Sequence, residues 1–140
     1  MRLILSATAI LALGVGVATA QQATRTGPAA PELEHGKAVY AHWCTPSHAN
    51  SMGLAGTNSL TIKYQGTDIP GVLEDRTDLT APVIAYFVRN GVAWMPPFRR
   101  TEVSDADLAA LSAYLTAPLE DRGAHTPLLA DEMAEMEAAR

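Results

Sequence analysis

An all-α fold of three to five short helices is what this sequence predicts, and three observations predict it. Apolar residues recur at helical spacing in three separate segments. Glycines and prolines interrupt the chain where those segments stop. Residues able to cap a helix, Thr80 and Ser104, stand just before two of them. A chain of 140 residues that is 48% hydrophobic is sized for one compact domain with a modest core.

The first twenty residues stand apart. Arg2 is followed by an apolar run from Leu3 to Val17 and then by Ala18, Thr19 and Ala20, the layout of a secretory signal peptide cleaved before Gln21. The run falls short of the roughly 20 residues that cross a bilayer, so a periplasmic product with no membrane span after cleavage is expected. Residues 21–33, with Gly27, Pro28 and Pro31, read as a flexible leader.

The domain is expected over 34–117. From Glu34 to Cys44, Val39, Tyr40 and Trp43 fall at helical spacing, and Gly36 leaves room for a second helix to approach. Between Ala49 and Asp78 the glycines at 53, 56, 66 and 71 and Pro70 predict loops with one or two helical turns. So long an irregular stretch inside a compact domain points to something functional that it wraps.

Thr80 and Pro82 open the next helix, whose face is Val83, Ile84, Phe87 and Val88 and whose stop is Asn90-Gly91. Two adjacent prolines, Pro96 and Pro97, hold Met95 in a loop. Ser104, with Asp105 and Asp107 in the following turn, starts a last helix with Leu108, Leu111, Tyr114 and Leu115 on one face. Pro118 ends it. That helix is expected to pack Leu111 and Tyr114 against Gly36 and Tyr40. Residues 118–140 read as a polar tail, in which Leu129, Met133 and Met136 form one possible helical stripe.

Charge narrows the partners. The whole chain carries −5, and without Arg2 nine basic side chains face fifteen acidic ones. No basic stripe is present for nucleic acid, and a protein with a positive docking face fits better. The single cysteine, Cys44, excludes an internal disulfide.

The chemistry centres on Cys44-Thr45-Pro46-Ser47-His48, one position away from the C-x-x-C-H pattern of covalent c-type haem attachment. In that pattern two thiols bond the haem vinyl groups and the adjacent imidazole binds iron. Ser47 replaces the second thiol, and a hydroxyl forms no such thioether. Met95, 47 positions after His48, supplies a soft donor for the opposite haem face. A methionine chosen at random is more often a core filler, but a site between Trp94 and two prolines is not a typical core position.

With these residues in view, the chain resembles the class I cytochromes c over roughly Glu34 to Leu115. The segments carrying the likeness are GKAVYAHWCTPSH, RTDLTAP and YFVRNGVAWMPPFRRTEVSDADLAALSAYL. It looks most like the cytochrome subunit of p-cresol methylhydroxylase-type flavoenzymes. The resemblance implies a small domain wrapped around one haem c, with Cys44 as its single thioether, His48 as proximal iron ligand and Met95 as distal ligand. It implies a carrier of single electrons rather than an enzyme, with redox partner proteins that include a flavoprotein subunit.

Lys63, Tyr64, Arg76 and Arg99 lie in segments able to reach haem propionates, though each also reads as a solvated surface group. Trp43 and Trp94 suit either a haem crevice or ordinary core packing. Two other readings stand beside this one: a haem-free interaction module that kept the helical scaffold, and a small copper site on His48, Met95 and Cys44. The second needs another histidine close by.

Overall fold

A computed structural model of the chain describes residues 25–51 and 53–128. The N-terminal segment, Met52 and the stripe of Leu129, Met133 and Met136 lie outside the described residues. Among the described residues there are five α-helices, α1 (Glu34–Trp43), α2 (Thr45–His48), α3 (Ala55–Lys63), α4 (Ala81–Asn90) and α5 (Asp105–Thr116). Short 3-10 turns cover Pro31–Leu33, Leu73–Asp75 and Leu119–Arg122. No strand occurs among the described residues, and the all-helical expectation holds.

The core forms where α1 crosses α5. Gly36 makes the crossing possible: a Cβ there would lie 2.1 Å from the Ala110 carbonyl oxygen and 2.7 Å from the Tyr114 Cβ. Around this contact Leu33, Val39, Tyr40, Leu108, Leu111, Tyr114 and Leu115 are buried together, joined by Ile84 and Val88 of α4. The rings of Tyr40 and Tyr114 meet at 6.0 Å between centroids. The expected approach of the last helix to Gly36 and Tyr40 is therefore present.

Helix boundaries follow local chemistry. Ser104 caps α5 by accepting from the Asp107 backbone N–H, while the Asp107 carboxylate accepts from the Ser104 N–H. That reciprocal box satisfies two donors that a helix start leaves open. Pro82 occupies the first turn of α4, and Gly91, at φ 67°, closes its end in a conformation that costs a residue with a side chain more than it costs glycine.

Two differences from the sequence reading stand out. The stretch 49–78 contains a nine-residue helix, α3. Its apolar residues lack an amphipathic period, and Thr57 is its only buried residue, so its packing comes from backbone approach rather than from a greasy face. The packed backbone also extends on both sides of 34–117. Ala29 and Leu33 are core residues, the Ala30 N–H bonds the Asp121 carbonyl, and the Ala124 N–H bonds the Gly27 carbonyl.

Within this flank Arg122 is almost fully buried. It donates to the carbonyls of Glu74, Arg76 and Ala117. A buried guanidinium is costly unless its donors are taken up, and here three backbone carbonyls take them. Burial lowers the Arg122 pKa from its ordinary value.

Candidate functional site

The end of α1 runs almost directly into α2. The Cys44 N–H closes α1 on the Tyr40 carbonyl, and the His48 N–H bonds the Cys44 carbonyl at 2.8 Å. Cys44 and His48 are therefore four residues apart on continuous helical backbone, which puts thiol and imidazole on one face. Pro46 sits in the first turn of α2, where its missing N–H costs nothing. Ser47, at the position of the missing second thiol, is exposed.

This short helix is held from both sides. The buried Tyr40 hydroxyl donates to the His48 carbonyl at 2.7 Å, and Thr45 Oγ1 donates to the Ala41 carbonyl at 2.6 Å. From the other side Thr57 Oγ1 of α3 donates to the Ala49 carbonyl at 2.9 Å. Gly56 then brings the α3 backbone against the imidazole, for a Cβ there would lie 2.4 Å from His48 Cε1 and 2.6 Å from Nδ1.

Burial governs the electrostatics. It lowers the His48 pKa from its ordinary value, so the neutral ring, the form that binds metals, prevails at neutral pH. His48 Nδ1 is buried with no hydrogen-bond partner among the described residues. The half-buried Cys44 thiol is pushed up to about 12, by burial first and by the nearby Glu74 carboxylate second. A free Cys44 is therefore a neutral thiol and an unreactive nucleophile.

Met95 stands on a different element. Val92 and Met95 exchange both backbone hydrogen bonds, at 2.9 and 3.0 Å, in a tight turn that places Ala93 at φ 50°. A left-handed alanine is strained, and such strain collects at functional sites. The half-buried Met95 comes from this turn, and Trp94 beside it is 96% exposed. Trp94 thus lines no core.

The loop after Met95 returns to the Cys44 end of α1. Phe98 packs edge-on against Trp43 at 5.7 Å between centroids, and the Phe98 N–H bonds the Val88 carbonyl. Arg89 fixes the following residues by donating to the carbonyls of Phe98, Val103 and Ser104 and to Asp105. The backbone thus sets Cys44 and His48 one helical turn apart, and Phe98, three residues past Met95, meets Trp43 at the end of α1.

The remaining candidates divide. Lys63 and Arg76 lie over the Tyr64 ring at 5.2 and 4.8 Å from its centroid, and Arg76 is also bonded to Asp78. Arg99 is exposed and paired with Glu102. His35 bonds Asp107 and His125 bonds Asp75, so neither stands beside His48 as the second imidazole of a copper site. Among the described residues no three His, Cys, Asp or Glu side chains gather to hold a metal, and no helix is long and apolar enough to cross a membrane.

Gly56 and Glu74 escaped the sequence reading. The only trace of Gly56 in the sequence is its place eight residues after His48, in a stretch rich in glycines.

A family model described as cytochrome c oxidase, cbb3-type, subunit III matches residues 31–115. No curated protein and no solved structure matches the chain.

Proposed function

The chain belongs to the cytochrome c family described by subunit III of cbb3-type cytochrome c oxidase, and from that premise we propose that it is a periplasmic carrier of single electrons through one haem c. The family supports a haem-based electron carrier and the redox partners that go with one. One observation supports the site in particular: Cys44 and His48 share a helical face, with a neutral imidazole one turn from a thiol.

These residues fit a haem. Cys44 would hold it through a single thioether, because Ser47 offers no second sulfur. His48 and Met95 would be the side chains that bind the iron. Bound there, the haem supplies an iron that takes up one electron and gives it on unchanged in its bonds. The protein contributes the ligands and the buried surroundings that set the potential, and a soft Met95 thioether favours the ferrous state.

Export rests on the N-terminal segment through Ala20. A flavin-dependent dehydrogenase or hydroxylase is the electron donor that the sequence resemblance implies, with the present chain as its accepting subunit.

Replacement of the distal ligand tests the reading. Met95→Ala should lower the reduction potential and abolish the sulfur-to-iron charge-transfer band of the ferric protein. An unchanged band would assign the second ligand to another residue.

A further inference from the structure

We propose that Gly56 is the positioning residue for the His48 imidazole, which is held as an iron ligand by shape where such rings are ordinarily held by a hydrogen bond. The inference rests on the haem reading above. Metal-binding histidines almost always pass their second ring N–H to a carboxylate, a carbonyl or water, which fixes the ring's rotation and raises its basicity. His48 departs from this habit, since its Nδ1 is buried and has no partner among the described residues.

Sterics take over the orienting role. A Cβ at position 56 would fall 2.4 Å from Cε1, 2.6 Å from Nδ1 and 2.6 Å from the Ser47 carbonyl oxygen. The ring and the turn that carries it therefore both lean on a backbone without a side chain.

Nor can α3 easily withdraw. Thr57 ties it to the Ala49 carbonyl, and one turn further on Gly71 packs against Thr61, where a Cβ at 71 would lie 2.1 Å from Oγ1 and 2.7 Å from the backbone nitrogen. Tyr40 fixes the His48 carbonyl from the α1 side. The α3 backbone at Gly56 thus lies against the imidazole, the His48 carbonyl is anchored to Tyr40 of α1, and the Thr61 end of α3 packs on Gly71.

Two consequences follow. Any side chain at position 56 tilts the ring, and a ring without an acceptor on Nδ1 is a weaker donor, which favours ferrous iron. Neither consequence depends on the partner protein.

The full chain, matured with haem, is compared as wild type, Gly56→Ala and Gly36→Ala. Gly36 makes an equally close contact between α1 and α5, away from the ring, and serves as the structural control. Gly56→Ala should shift the low-spin ferric g-values and the reduction potential. Gly36→Ala should lower the melting temperature and leave the g-values in place. Haem-loaded Gly56→Ala with wild-type g-values and potential would overturn the assignment.

Should Gly56→Ala fail to accumulate with haem, the wild type decides. In protein labelled with 15N-histidine, the Nδ1 proton should resonate as one without an acceptor, and a strongly hydrogen-bonded shift would overturn the proposal. Wild-type protein that matures without haem overturns the reading beneath it and this assignment with it, whereas a wild-type haem spectrum beside an unmoved Gly56→Ala overturns this assignment alone.

Discussion

Tyr114 donates its hydroxyl to the Glu74 carboxylate in a contact that solvent does not reach, both side chains being fully buried. The same carboxylate accepts from the Thr126 N–H and hydroxyl. It thereby ties α5 to the turn at Leu73–Asp75 and to the segment that follows Pro118. Burial, then the Glu74 charge, raises the Tyr114 pKa above its ordinary value, so the phenol stays a donor at all physiological pH.

Removing one partner from such a set strands the others. Tyr114→Phe should cost about 1–3 kcal/mol of stability, the usual cost of depriving a buried polar group of a partner. Tyr86→Phe, at a ring 61% exposed, should cost almost nothing. Denaturant melts of the two variants check this, and equal losses would contradict it.

Gly36→Ala should destabilise by at least about 1–3 kcal/mol, the usual cost of overpacking. The neighbour it would strike is backbone, the Ala110 carbonyl, and cannot swing aside. Thermal unfolding followed by circular dichroism reads the loss, and a stability equal to wild type would mean that α1 and α5 can separate freely.

Acid should weaken the start of α5. The Ser104 hydroxyl first, then the His35 ring, holds the Asp107 carboxyl down to about 2 from its ordinary 3.8. A carboxyl with a lower pKa folded than unfolded adds stability that is complete above the unfolded value and is lost as pH falls through the folded one. Wild type should therefore exceed Asp107→Ala in stability by a margin that is constant near neutrality and shrinks from about pH 4 toward pH 2. A margin independent of pH in that window would contradict the linkage.

Trp94 offers a test of electron exchange separate from folding. Because the ring is 96% exposed, Trp94→Ala should leave stability within about 0.5 kcal/mol of wild type. On the Met95 turn it is the exposed aromatic, so an electron-exchange surface at this turn would include it. Self-exchange between ferric and ferrous copies, measured by line broadening, should slow several-fold. An unchanged rate would move the electron-exchange surface away from this turn.

What could be read in advance was whatever the chain encodes over short distances. The Ser104 start of α5, with Asp105 and Asp107 in its first turn, and the Asn90-Gly91 stop of α4 each lie within a few residues, so spacing alone reveals them. The approach of Gly36 to Tyr114 was legible because both neighbours lie on periodic faces. The α3 helix was not, since AGTNSLTIK shows no apolar stripe and owes its place to Gly56, Thr57 and Gly71.

Nor was the polar core. Glu74 and Arg122 are 48 residues apart, and their residue types are almost never fully buried without partners. No local signal distinguishes them from surface charges. The same long-range logic applies to Trp43 and Phe98, whose contact brings the Met95 loop to the end of α1.

A visible spectrum of the reduced, exported protein tests the central claim most directly. A chain that holds haem through Cys44 alone, with His48 and Met95 on the iron, should show a sharp α band at longer wavelength than a two-thioether cytochrome c, because one vinyl group stays conjugated. Colourless, iron-free protein, made under conditions that mature a control cytochrome, would contradict it.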